Sequence, residues 1–185
     1  MTKIPKIITL IIVAGLIFGA GYFFLKNPYF PLPTPKLPQK FVFQNEANGC
    51  ANIFLYKISE DDTIGISVSA KGDTLHLSKQ EKTFEIGKTD GLNVEILVGQ
   101  KIAQLYCNDV LYLDQPKPRK LIGKSGTATI SLGDNVEWSA PNWERGYKAT
   151  INLSNVHFSD ENGQDINVIL DNLIFKDVTV GWFPG

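Results

Sequence analysis

Histidine and cysteine are scarce in this chain of 185 residues, with two of each. His76 and His157 alternate onto polar strand faces and have no cysteine or second histidine at ligand spacing. That pattern argues against a zinc site. Acidic residues are missing from the first 45 positions, which carry five lysines, whereas residues 46–185 hold 13 basic and 19 acidic residues, a net of −6. A net-acidic domain lacks the positive field that phosphate backbones require, so nucleic acid is not an expected partner. A sustained 3.6-residue period is also missing beyond Leu25, which argues against a helical domain.

One long uncharged run is present. Ile7 to Leu25 is a stretch of 19 residues without a charge, bracketed by Lys3, Lys6 and Lys26. At the helical rise it would reach about 30 Å, the thickness of a bilayer core. Only a helix satisfies its backbone groups there, so residues 7–25 are expected to form a single transmembrane helix behind a short flank, residues 1–6. A cleaved export signal is the alternative, with Gly19-Ala20-Gly21 as a small-residue site, but Tyr22, Phe23 and Phe24 continue the run and suit an interfacial belt. Gly15 and Gly19 form a small-xxx-small pair that would let two helices pack closely in lipid. The lysines before the run favour a cytoplasmic N-terminus, placing the C-terminal domain in the periplasm or outside the cell.

Residues 26–40 include Pro28, Pro31, Pro33, Pro35 and Pro38. Proline fixes φ and removes a donor, so this segment reads as an extended linker. Residues 41–185 then provide enough chain for one hydrophobic core.

That domain reads as all-β, an antiparallel sandwich preceded by the transmembrane helix. Ile64, Ile66, Val68 and Ala70 alternate with Gly65, Ser67 and Ser69. Leu75 and Leu77, Phe84 and Ile86, Val94, Ile96 and Val98, and Ala128, Ile130 and Leu132 repeat the pattern between turn signals. Cys50–Ile58 and Ile102–Leu113 are more continuously apolar and are expected to be central strands. Lys148–Phe158 and Asp165–Phe175 form a hairpin. A three-residue loop with Gly163 in the left-handed position aligns Phe158 with Ile166, Val156 with Val168, Ile151 with Leu173 and Ala149 with Phe175. Burial should choose that register over a two-residue Asn-Gly turn. Both strands then change face at nearly one level, between Leu153 and Val156 and between Leu170 and Leu173, which predicts a bulge or bend.

Cys50 and Cys107 are expected to pair as a disulfide in an exported domain. An immunoglobulin domain is not recognisable: no tryptophan lies between the cysteines, and no tyrosine sits two residues before the second. The sharper alternative makes Cys107 a nucleophile with His76 as base and Arg119 to stabilise an oxyanion, as in sortase-type transpeptidases. The surrounding AQLYCNDV lacks the Thr-Leu-x-Thr-Cys context of that family. Gly123-Lys124-Ser125 resembles the end of a phosphate loop, but Pro118 occupies the first glycine position and a strand pattern follows. Asp160, Asn162 and Asp165 offer oxygens for calcium, which hairpin-turn chemistry explains equally. Trp138, Trp143 and Tyr147 fall in an expected loop, where aromatic faces would meet a ligand or partner or else plug the core. Lys117, Arg119, Lys120 and Lys124 read as a solvated basic loop. Asn152-Leu153-Ser154 is a glycosylation sequon within an expected strand.

The expectation is therefore a non-catalytic single-pass accessory or assembly subunit. It would contact lipid through residues 7–25 and other membrane-complex subunits through its β domain, without metal or cofactor. A carbohydrate-type binding module using the two tryptophans is the alternative.

Overall fold

The computed structural model describes residues 37–38, 40–110, 116–136 and 146–181, all within the unit Pro35–Gly185. The expected transmembrane helix, with Gly15 and Gly19, and most of the proline-rich linker lie outside these residues. Among the described residues no helix is long and apolar enough to cross a membrane.

Among the described residues eight strands form one antiparallel sheet: β1 (Asn48–Cys50), β2 (Phe54–Ile58), β3 (Ile64–Ala70), β4 (Lys82–Glu85), β5 (Leu92–Val98), β6 (Arg119–Leu132), β7 (Tyr147–Asp160) and β8 (Asp165–Val180). The order is β1-β2-β3-β5-β6-β7-β8, with β4 also paired to β6. The expected sandwich is thus corrected to a single curled sheet, a half-barrel. Alternation marks which side chains are buried, but not whether the buried layers belong to two sheets or to one that bends over itself. Here the ladder passes from β1 to β8 without a break, and the far end of β8 returns to β1, where the Gly181 N–H donates to the Ala51 carbonyl at 2.5 Å.

The bend is built into β6 and β7. The N-terminal part of β6 pairs with β5 (Arg119–Ile122), and its C-terminal part pairs with β4 (Thr127–Ile130). Between them the register against β7 shifts twice, around Ser125. Gly126 has φ 122°, and a Cβ there would lie 2.7 Å from the Asn155 carbonyl oxygen, while Asn155 itself has φ 52°. Only glycine suits Gly126, and the corner it makes is the bend that alternation anticipated. Opposite Asn155 the β7–β8 ladder stays in register, so both strands change face together.

The expected hairpin is present. The Asp160 N–H donates to the Gln164 carbonyl, enclosing residues 161–163, and Gly163 has φ 81°. Phe158 pairs with Ile166 as expected. Further along, β8 gains residues relative to β7, so Val156 meets Leu170, Ile151 meets Phe175 and Ala149 meets Val178. The inward set is nevertheless the expected one: Ala149, Ile151, Leu153, Val156, Phe158, Val168, Leu170 and Phe175 are buried. Bulges absorb the extra residues while keeping apolar side chains inside.

Three segments differ from expectation. Cys50–Ile58 is a hairpin, β1 and β2 joined by a turn at Ala51, which has φ 52°. Leu75 and Leu77 are buried as expected but sit in consecutive turns, their N–H groups donating to the Lys71 and Gly72 carbonyls. Ile102–Leu105 is a short 3-10 helix and not a central strand. A short apolar run signals burial, whatever secondary structure achieves it.

Phe41 closes the core from the N-terminal side. It is buried and meets Phe158 edge-on with centroids 6.2 Å apart. The Gln44 N–H donates to the Ile58 carbonyl, so this segment follows β2.

Candidate functional site

Two surface features stand out on the half-barrel. The first is a flap, Gly99–Val110, lying against the outer side of β3. The outward residues of β3 are Gly65, Ser67 and Ser69, a row of small side chains. That smallness makes a seat: a Cβ on Gly65 would lie 2.6 Å from both Ile102 and Tyr106. Ile102 and Tyr106 are buried there. Tyr106 stacks on Tyr56 with centroids 4.8 Å apart and tilts against Phe54 at 5.8 Å. Its hydroxyl is enclosed beside Ser67 without a hydrogen bond of good geometry, and burial pushes it well above the ordinary phenol range. Burial raises Tyr56 as well.

Cys107 follows immediately and is bonded to Cys50 of β1, with Cα atoms 6.0 Å apart. The expected disulfide is present. With its sulfur in that bond, Cys107 offers no thiolate for attack, and the His76–Cys107–Arg119 arrangement has no nucleophile. His76 and His157 are both exposed.

The second feature is the edge strand β8. Among the described residues its one ladder partner is β7. Ile169 and Ile174 point outward, 48% and 46% exposed.

The remaining sequence candidates resolve as follows. Tyr147 opens β7, is 5% exposed and donates its hydroxyl to the Asn52 carbonyl. It belongs to the core, the second of the two roles expected for it; Trp138 and Trp143 lie outside the described residues. The basic run is not a solvated loop, since Arg119, Lys120 and Lys124 belong to β6. Lys117, Lys120 and Lys124 pair with Glu161, Glu95 and Asp165 at 3.2, 2.7 and 2.6 Å. Gly123-Lys124-Ser125 is strand, as its sequence context required. Asp160 Oδ1 accepts from the Asn162 and Gln164 N–H groups, so that carboxylate organises the turn. Among the described residues no group of three or more His, Cys, Asp or Glu gathers to hold a metal ion. The sequon residue Asn152 lies half-buried within β7.

One functional-looking residue had no sequence signal. Lys57 alternates with Leu55 and Ser59 toward the interior and is 8% exposed. Its amine donates to the Asn45 carbonyl at 2.8 Å and the Gln44 carbonyl at 3.4 Å, and stands 6.0 Å from the Phe175 ring centroid. Burial lowers its pKa. It clips the N-terminal segment to β2. A lone lysine in an alternating strand looks like a solvated position, and only the folded segment opposite supplies its acceptors.

In comparison with known proteins no family model, no curated protein and no solved structure matches the chain.

Proposed function

We propose that this chain is a non-catalytic, membrane-anchored accessory or assembly subunit whose β domain makes protein contacts outside the cytoplasm. The observation that carries the reading is the edge of β8. This strand is 16 residues long and keeps two isoleucines in solvent. Asp165, Asp171, Lys176 and Asp177 are exposed along the same strand and its far end lies against β1, so the stretch around Ile169 and Ile174 is what a partner strand would cover. Supporting it, the one candidate nucleophile is consumed in a disulfide. In this reading Ile7–Leu25 supplies the anchor, Gly15 and Gly19 a helix contact, and the prolines a spacer.

The test is affinity purification of the full chain from native membranes after cross-linking, with mass spectrometry of the captured proteins. Wild type should retain membrane partners in mild detergent, and an Ile169→Lys/Ile174→Lys variant should lose them while keeping its thermal transition. A wild-type chain that runs as a free monomer at native expression level defeats the proposal.

A further inference from the structure

We infer that the edge of β8 is covered by a second copy of this chain, the two β8 strands pairing antiparallel about a two-fold axis that passes between Asp171 and Asn172. The inference rests on the reading of this edge as a contact surface and names its occupant.

The stretch from Asn167 to Lys176 has the same polarity pattern read from either end. Its outward residues are Asn167, Ile169 and Asp171 before the midpoint and Asn172, Ile174 and Lys176 after it. Its inward residues are Val168 and Leu170 before the midpoint and Leu173 and Phe175 after it. A two-fold contact needs this property, because every meeting of residue i with residue j is repeated as j with i. Antiparallel pairing about the midpoint sets Ile169 against Ile174 of the second copy. It also sets Leu170 against Leu173, Asp171 against Asn172 and Asn167 against Lys176.

The corner in β8 makes that axis possible. Neighbours in an ordinary strand face opposite ways, so a two-fold passing between two residues would oppose an outward side chain to an inward one. Asp171 and Asn172 are both exposed, where β8 turns between its pairings of Leu170 with Val156 and Asn172 with Ser154. At this one step outward therefore meets outward.

Charge and burial fix the direction and the register. Parallel pairing would place Asp171 on Asp171 and Lys176 on Lys176, and like charges directly opposite destabilise a sheet. In the antiparallel pair Asp171 and Lys176 each meet an asparagine amide. Sliding the copies by one residue would oppose exposed Ile169 to Leu173 or Phe175, which pack on the core. The far end of β8 takes no part, since Val178 and Val180 lie beside Gly49 of β1. One strand pair is a small contact, and two copies anchored in one membrane would meet at a raised effective concentration.

The test uses the full chain in membranes. Ile169→Cys and Ile174→Cys variants are expressed separately and together and treated with a mild oxidant; Cys50 and Cys107 are already bonded to each other. Directly opposed residues have Cβ atoms about 4.5–5.5 Å apart, close enough to bridge. In an equal mixture about half of the two-fold dimers contain one chain of each kind, so about half of the protein should run as a cross-linked dimer, and neither variant alone should do so. Asn167→Cys with Lys176→Cys, opposed in the same register, repeats the test should either isoleucine variant fail to fold. Absence of the cross-link in both mixtures, or equal cross-linking by one variant alone, overturns the inference. If it falls while the Ile169→Lys/Ile174→Lys variant still loses captured proteins, a different protein covers the edge and the proposed function stands. A cross-linked dimer that captures no other membrane protein supports the inference and defeats the accessory-subunit reading.

Discussion

Replacing Gly65 by alanine tests whether the flap seat is real. The added Cβ would stand 2.6 Å from Ile102 Cγ2 and from Tyr106 Cε2. Carbon pairs are most comfortable at about 3.5–4.0 Å, so both side chains must retreat by roughly 1 Å. Overpacking of this kind costs about 1–3 kcal/mol. Alanine recovers about 0.5–1 kcal/mol of the penalty that glycine carries in a strand. Complete unseating would forfeit the burial of Ile102 and Tyr106, about 1.5–3 kcal/mol each, but the disulfide at the next residue prevents that. The net expectation is a loss of about 1–2 kcal/mol, or about 2–8 °C in Tm for a chain of this size. Thermal and urea unfolding of the oxidised protein measure it. A double-mutant cycle locates the cause: in a Tyr106→Ala background the Gly65→Ala cost should fall by about half or more, Ile102 retaining its own contact. A neutral Gly65→Ala variant, or one whose cost is the same with and without the Tyr106 ring, refutes the seat.

Three further expectations follow from the same structure. Removing the disulfide as Cys50→Ser/Cys107→Ser, with a sequence separation of 57, should lower the unfolding free energy measured in urea by about 4 kcal/mol from loop entropy alone; a loss below about 1 kcal/mol contradicts this estimate. Burial raises the Tyr106 and Tyr147 hydroxyls above their ordinary value of 10.0, so above that pH the unfolded chain binds fewer protons than the native one and stability falls as pH rises. Lys57 acts in the opposite sense only below its ordinary 10.5. Tyr106→Phe and Tyr147→Phe should each flatten the alkaline limb of a stability–pH curve, and an unaltered slope in both counts against buried phenols as its cause. Gly126→Ala places a side chain at φ 122° and 2.7 Å from the Asn155 carbonyl oxygen, and should cost at least about 2 kcal/mol by calorimetry. Wild-type stability in that variant would mean the β6–β7 corner does not depend on glycine.

The side chains that line the core were legible in the sequence because strand periodicity is local. The alternation of Ile64, Ile66 and Val68, of Val94, Ile96 and Val98, and of Ala128, Ile130 and Leu132 each places its members inside. The joint change of face in the last hairpin was legible for the same reason, and so was the left-handed Gly163. The cysteine pair could be anticipated from the count of two and the expectation of export. Lys57 could not, because its acceptors are backbone carbonyls 12 and 13 residues away. Which of its two expected roles Tyr147 takes was not legible, because an aromatic beside a tryptophan-containing loop looks like a loop residue until the strand that begins at it is known.

Local chemistry thus determined the faces of the strands, the turn of the last hairpin and the net acidity of residues 46–185. Whether the buried faces belonged to two sheets or one, and where the apolar run around Ile102 would lodge, depended on pairings between residues far apart in the chain. Ile102 and Tyr106 are apolar enough for a strand, but the space left above Gly65 and the bond from Cys107 to Cys50 make the outer face of β3 their burial site. Hydrophobic burial is non-directional: it demands that these side chains leave water, and only the assembled surface supplies a place for them to go.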